Sequence, residues 1–245
     1  MKDTIFKIKS NVKIAKNTYE TVLVGDTSDI TASGQFVNIK LDGFYLRRPI
    51  SVCDVEGDEL TLIYKVVGKG TEKMAEMTEG TELLVLTGLG NGYDLEKAGD
   101  APLLIGGGAG VPPMYLLCRK LSAMGKKCTV ILGFGSKDEV FYEEKFAALG
   151  ARVIVTTVDG SYGQRGFVTD AMDGLEYTHF YTCGPEPMLK AIYSKSTTGG
   201  SFSFEERMGC GFGACMGCSC KVVTGGYKRI CKEGPVLQKE EILWK

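Results

Sequence analysis

Four cysteines near the carboxyl end, Cys210, Cys215, Cys218 and Cys231, are spaced C-x4-C-x2-C-x12-C, with Gly211, Gly213, Ala214 and Gly217 among the residues between the first three. Plant-type [2Fe–2S] centres use C-x4-C-x2-C and a distant fourth cysteine, and small residues between the ligands let backbone N–H groups approach the cluster sulfurs. A structural four-cysteine zinc knuckle is the competing assignment; it usually shows two C-x2-C pairs, and only Cys215 and Cys218 form one here. Cys220 could replace Cys218 as a ligand or be a buried thiol. The remaining four, Cys53, Cys118, Cys128 and Cys183, lie in apolar segments and read as core residues.

A second group is Gly106-Gly107-Gly108-Ala109-Gly110-Val111-Pro112-Pro113, between the apolar strand Leu103-Leu104-Ile105 and a helix. Glycines at such a junction let a pyrophosphate meet the backbone amides of the helix N-terminus. Val111 stands in the sixth position, so the strict G-x-G-x-x-G pattern is not met and a plain tight turn is the alternative. Cys183-Gly184-Pro185-Glu186-Pro187-Met188 ends the last strand of the same sheet, where nucleotide sites of such folds converge. Cys183 is then either against a nicotinamide ring or a packed thiol. A third group is Arg47-Arg48-Pro49-Ile50-Ser51, with Ile63-Tyr64-Lys65 and with Gly68-Lys69-Gly70-Thr71 at a helix start. Arginine suits a pyrophosphate, a serine hydroxyl can bond a flavin ring edge, and Gly-Thr at a helix start offers amides to phosphate. The alternative for Arg47-Arg48-Pro49 is a solvated hairpin.

Other chemistries are poorly supplied. His179 is the single histidine and precedes a buried-looking strand, so no Ser/His/Asp or Cys/His set can be assembled. Glu143-Glu144 and Glu205-Glu206 read as solvated charge. Twenty-nine basic against thirty acidic residues give a net charge of −1, which lacks the basic footprint of a nucleic-acid or anionic-membrane binder. Nine cysteines without an apolar leader argue against a disulfide framework and for a cytoplasmic chain. The uncharged run from Ala101 to Cys118 is interrupted by Gly106–Gly108 and Pro112-Pro113, so it does not predict a membrane span.

The elements that must position these groups fall into three segments. From Ile5 to about Leu86 short β-branched runs alternate with turn residues, predicting antiparallel strands in a small barrel with one helix over about Gly70 to Met77. After Gly99 strand and helix alternate, with helices expected over Met114–Met124, Glu139–Leu149, Gly166–Met172 and Pro185–Ser194, which predicts a parallel sheet with crossover helices. Thr197-Thr198-Gly199-Gly200-Ser201 reads as a flexible linker into the cysteine segment. The expected domains are a barrel over 1–97, an α/β domain over 98–196 and a small cysteine-bearing domain over 197–245.

In order and spacing these groups resemble the ferredoxin–NADP reductase superfamily and, within it, the iron–sulfur electron-transfer subunits of class B dihydroorotate dehydrogenases. The resemblance rests on Arg48–Ser51, Gly70-Thr71, Gly88-Leu89-Gly90-Asn91-Gly92, Gly106–Pro113, Cys183–Met188 and the C-terminal cysteines, and spans essentially the whole chain. It implies FAD on Arg48, Pro49, Ile50, Ser51, Ile63, Tyr64, Lys65, Gly70 and Thr71. It implies a nicotinamide dinucleotide against Gly106, Gly107, Gly108, Gly110, Cys183, Gly184 and Pro185, and a [2Fe–2S] cluster on Cys210, Cys215, Cys218 and Cys231. Ile50 departs from the aromatic residue of many superfamily members. No arginine follows Phe134-Gly135-Ser136 to hold a 2′-phosphate, which favours NAD over NADP, although Lys137 leaves NADP open. Hydride carriers move two electrons and clusters move one, so a flavin must stand between them. With three cofactor segments and no substrate domain, the metabolite is expected on a partner. The resemblance implies a flavin-containing dihydroorotate dehydrogenase subunit and a heterotetramer, working in pyrimidine biosynthesis; a ferredoxin–NAD(P) oxidoreductase subunit is the alternative.

Overall fold

The structure, a computed structural model, describes residues 1–244. Its first part is a closed barrel of β1 (Lys2–Ala15), β2 (Thr18–Val24), β3 (Phe36–Ile39), β4 (Arg48–Glu56), β5 (Glu59–Lys65) and β6 (Glu82–Leu89), in the order β1-β2-β5-β4-β3-β6 with every neighbour antiparallel. The two-residue strand period selects the inside: Leu60, Leu62 and Tyr64 of β5 join Phe6, Ile8, Leu23, Val37, Ile39, Val52 and Val85 in one core. Each fully buried aliphatic side chain there contributes roughly 1.5–3 kcal/mol. One short helix, α1 (Lys69–Ala75), leaves the barrel between β5 and β6, close to the helix expected from the sequence.

The second part is a seven-stranded sheet. Its strands are β7 (Leu103–Gly107), β8 (Thr129–Phe134), β9 (Arg152–Thr157), β10 (Gln164–Arg165), β11 (Phe180–Cys183), β12 (Gly200–Ser203) and, after a two-stranded hairpin of β13 (Ser219–Lys221) and β14 (Tyr227–Arg229), β15 (Val236–Gln238). The order is β10-β9-β8-β7-β11-β12-β15, parallel except for β15. Three helices connect it: α2 (Val111–Ala123), α3 (Glu143–Ala148) and α4 (Glu186–Lys195). The expected barrel, parallel α/β sheet and small C-terminal cysteine segment are all present.

Three local expectations are corrected. Gly200-Ser201 do not belong to a linker but open the buried strand β12: a Cβ on Gly200 would lie 2.0 Å from the Phe180 ring, and the Ser201 hydroxyl sits 3.0 Å from His179 Nε2. Glycine and serine there serve close strand packing and a buried hydrogen bond, not flexibility. The helix expected over Glu139–Leu149 is interrupted because Tyr142 takes a left-handed conformation (φ 68°) and turns its hydroxyl to Glu20 of the barrel. The helix expected over Gly166–Met172 shrinks to one 3-10 turn at Asp170–Met172, since Gly166 has φ 122° and the Asp170 carboxylate accepts the Phe167 N–H at 2.7 Å. The chain after residue 197 therefore supplies two sheet strands as well as the cysteine loop.

Helix α2 packs on β4 and joins sheet to barrel. The Arg119 guanidinium, on α2, lies 2.7 Å from the Asp54 carboxylate and donates to Val55 O at 2.6 Å. On the other side of the seam Lys65 Nζ stands 3.1 Å from Glu139.

Candidate functional site

The Arg48–Ser51 segment is the start of β4, paired with β3 so that Arg48 faces Ile39, Pro49 faces Asn38, Ile50 faces Val37 and Ser51 faces Phe36. The two arginines part: Arg47 closes on Asp3, whereas the Arg48 guanidinium lies 4.8 Å above the Phe44 ring and donates to Leu46 O at 2.5 Å. It also crosses the first turn of α1. A Cβ at Gly70 would lie 2.1 Å from Arg48 Nε, so glycine is required for this arrangement. The Thr71 hydroxyl is engaged locally, accepting the N–H groups of Val67 and Gly68 at 2.9 and 3.2 Å. Ile63 and Tyr64 are buried on opposite faces of β5, Tyr64 in the barrel core and Ile63 against the sheet domain. A ligand at 63–65 would thus meet backbone and the Lys65 side chain.

Lys65 leads into the main cleft. A space of about 630 Å³ opens at the carboxyl ends of β7, β8, β9 and β11, lined by Lys65, Gly107, Gly108, Glu139, Phe167 and Pro185 among others. This is where order reverses in such sheets and dinucleotides bind. Gly108 has φ 50°, and a Cβ there would meet nothing within 4 Å, so open space borders the backbone at this point of the cleft. Gly106, Gly110, Cys183 and Gly184 are not among the lining residues. A Cβ at Gly110 would lie 2.1 Å from Cys183 O, and one at Gly106 would lie 2.8 Å from Val111 Cα, so these glycines let α2 press onto β7 and β11. Burial pushes the Cys183 thiol up to about 12, and the side chain packs in the core with Tyr93. Pro187 and Met188 of the Cys183–Met188 motif do line the cleft, whereas Phe167 and Val168 of the lining carry no motif in the sequence beyond the glycine before them.

The cysteine loop rests on both parts. Cys218 and Cys231 are buried with their sulfurs 3.2 Å apart, while Cys210 Sγ accepts the N–H groups of Ala214 and Cys215 at 3.2 and 3.5 Å. Burial opposes ionisation of Cys210, but backbone donors from Cys215, Phe212 and Ala214 outweigh it and bring its pKa to about 6. Burial and the shared contact with Cys218 push Cys231 up to about 12. Gly211 and Gly213 are left-handed, and the loop holds Met216 at φ 61° as well. Cys220 instead lines a separate cleft with Leu237 and Trp244. Among the described residues no three potential ligands converge on one point, so the four cysteines form a close buried pair and an amide-bonded loop. The donor set fits an iron–sulfur cluster: soft thiols, backbone amides aimed at sulfur, and glycines at Gly209 and Gly217 whose Cβ positions would lie 3.3 and 3.5 Å from Cys215 Sγ.

Sequence reasoning missed Asn38. It is a buried polar residue in the apolar strand β3, and its Nδ2 donates to Cys210 O at 3.4 Å. The neighbouring Phe36 packs in one core with Cys218 and Cys231. The cysteine loop therefore touches β3, the strand paired with the Arg48–Ser51 segment.

A barrel with an arginine-serine strand, a parallel sheet with a glycine-lined dinucleotide cleft and an adjoining cluster loop define a nicotinamide-dependent electron-transfer oxidoreductase. The family described as iron–sulfur cluster binding domain of dihydroorotate dehydrogenase B matches residues 205–243, and the oxidoreductase NAD-binding domain matches 104–194. The chain is 46% identical over 246 residues to the dihydroorotate dehydrogenase B (NAD(+)) electron transfer subunit of Bacillus mycoides (strain KBAB4), covering 94% of this chain and 95% of the relative. The subunit of the same description from Fusobacterium nucleatum subsp. nucleatum is 44% identical, covering 96% of each. The chain belongs to the family of dihydroorotate dehydrogenase B electron transfer subunits. Among solved structures, an NADH-dependent reduced ferredoxin-NADP oxidoreductase superposes with a TM-score of 0.87 at 31% identity, covering 98% of this chain and 90% of that one. The FAD-bound flavohemoglobin of Malassezia yamatoensis, with a TM-score of 0.68 at 18% identity over 80% of this chain and 56% of that one, shares the fold alone.

Proposed function

We propose that this chain passes electrons, taken from dihydroorotate by a flavin-containing catalytic subunit, through a [2Fe–2S] cluster and FAD to NAD+ in pyrimidine biosynthesis. The observation that carries this assignment is the contact of the cysteine loop with β3 through Asn38, one strand from Arg48–Ser51, which supports a short path from cluster to flavin. A bound flavin exchanges hydride with a nicotinamide and single electrons with a cluster, which is why it belongs between them.

The residues divide the work. Arg48, Pro49, Ile50 and Ser51 on β4, the 63–65 backbone with Lys65, and Gly70-Thr71 hold FAD. Gly107, Gly108 and Pro185 line the NAD cleft, while Gly106, Gly110, Cys183 and Gly184 let the cleft walls close behind them. Cys210, Cys215, Cys218 and Cys231 hold the cluster. Lys137 Nζ lies over the Tyr162 ring at 5.9 Å and Glu139 borders the cleft, which supports NAD over NADP. His179 is buried at the far end of β11 with Ser201, which accords with an electron-transfer role. We place the chain with its catalytic partner in a cytoplasmic heterotetramer, with boundaries near residues 97 and 196 between flavin, nicotinamide and cluster segments. No described helix is long and apolar enough to cross a membrane.

The test is affinity isolation of the chain from its native cell, followed by dihydroorotate-dependent NAD+ reduction. Co-isolation of a flavin-containing partner with that activity is expected. Visible flavin and iron–sulfur absorption is expected as well, and a colourless, zinc-containing protein would overturn the assignment. The 31% identity to the NADH-dependent reduced ferredoxin-NADP oxidoreductase supports a second possibility, a ferredoxin–NAD(P) oxidoreductase subunit. Recovery of a ferredoxin-linked partner without dihydroorotate activity would select it.

A further inference from the structure

Arg229 ends β14, opposite Ser219 on β13, so it stands one residue beyond Cys218 in register and two before Cys231 in sequence. Its guanidinium reaches back across the loop and donates through Nη1 to Gly213 O at 2.6 Å, in the middle of the C-x4-C segment. The same guanidinium is gripped by Glu233: Nε lies 2.9 and 3.1 Å from the two carboxylate oxygens, Nη2 also donates to Glu233, and the Arg229 N–H donates to Glu233 Oε2 at 2.8 Å. The N–H groups of Lys232 and Glu233 both return to Arg229 O at 2.9 Å, closing the turn that presents Cys231. A Cβ at Gly213 would lie 2.6 Å from Lys232 Cδ and 3.3 Å from Arg229 Nη1. The loop carbonyl can approach the guanidinium closely because glycine stands there, with φ 92°. The buried Cys218–Cys231 pair, the Cys210–Cys215 loop and this charged clamp thus form one unit.

We propose that Arg229, oriented by Glu233, is a positioning residue of the cluster: it fixes the Cys210–Cys215 loop against the Cys231 turn and sets the reduction potential of the centre. The proposal rests on the assignment of a cluster to the four cysteines. A cluster that gains an electron gains negative charge, so a nearby cation favours its reduced form and a nearby anion opposes it; hydrogen bonds and charges around such centres are known levers on potential. Arg229 and Glu233 therefore act with opposite signs. Removing the arginine charge leaves Glu233 beside the centre and lowers the potential. Removing the carboxylate charge leaves Arg229 unneutralised and raises it.

The experiment is an anaerobic redox titration of the full-length protein with its cofactors, followed by electron paramagnetic resonance, for the parent, Arg229→Gln, Glu233→Gln and Arg229→Lys. Arg229→Gln is expected to make reduction about tenfold less favourable, which for a one-electron couple is a shift of about 59 mV. Glu233→Gln should shift it the other way, and Arg229→Lys, which keeps the charge without the fork, should stay near the parent while losing iron faster on challenge with a chelator. Unchanged potentials at full iron content would overturn the proposal, as would shifts of the same sign in Arg229→Gln and Glu233→Gln. Should Arg229→Gln come back without iron, the remaining pair decides: a potential for Arg229→Lys as displaced as that of Glu233→Gln overturns the proposal. A parent protein without a paramagnetic iron–sulfur signal would refute the cluster assignment itself, a separate result.

Discussion

Replacing Gly70 by alanine separates cofactor binding from folding in this chain. The added Cβ would lie 2.1 Å from Arg48 Nε and 2.6 Å from its Cζ, and ordinary contact begins near 3.5 Å, so the guanidinium must retreat by about 1.4 Å. The displaced atoms are the far end of a flexible, half-buried side chain, and Gly70 has no left-handed backbone to strain. Folding therefore loses little. The helical alanine offers up to ~1 kcal/mol in return, so the apoprotein should melt at the parent temperature or a few degrees higher. FAD binding should respond in the opposite direction, because Arg48 is the cationic group proposed to meet the pyrophosphate. A charge-assisted hydrogen bond is worth about 1.5–3 kcal/mol, equivalent to roughly 10- to 150-fold in Kd. Titration of apoprotein with FAD, followed by quenching of flavin fluorescence, measures that loss, and a thermal melt of the same sample measures stability. FAD affinity within threefold of the parent would refute the role of Arg48, and a lowered apoprotein melt would refute the claim that Gly70 serves the site and not the fold.

Further outcomes concern the other two sites. Serine at Cys210, Cys218 or Cys231 should abolish the iron–sulfur absorption while leaving flavin bound, whereas Cys220→Ser should keep its iron, as scored by iron content and visible spectrum. In the cluster-free chain the Cys210 thiolate forms near pH 6 instead of the ordinary thiol value of 9.0, so its alkylation by iodoacetamide should be half-maximal near pH 6. Because the folded value is the lower one, its contribution to apoprotein stability is complete above pH 9 and is lost as pH falls through 6, measurable as urea midpoints across that range. Phe167→Ala should raise the KM for NADH about tenfold through lost contact in the dinucleotide cleft, with steady-state kinetics as the check.

Much of the molecule is legible in the sequence because its signals are local. The barrel and the parallel sheet follow from runs such as Leu60-Thr61-Leu62 and Leu103-Leu104-Ile105 between turn residues, and the cluster motif is a spacing of four cysteines. Local signals also mislead where tertiary packing sets the use of a residue. Gly200 resembles a linker glycine until Phe180 is found in its place in the sheet, and Tyr142 sits in a stretch that reads as helix until its bond to Glu20 draws it left-handed.

The sequence by itself determined the three segments and their order, since each depends on residue types a few positions apart, and the family resemblance they carry implied the cofactors. Only the tertiary structure decided which glycines face the cleft and which let its walls touch. It also decided that the sulfur of Cys218, and not that of Cys220, lies beside Cys231, and that Asn38 of the barrel touches the cysteine loop across 172 residues of chain. Those choices depend on contacts between strands and loops remote in sequence, and no local periodicity encodes them.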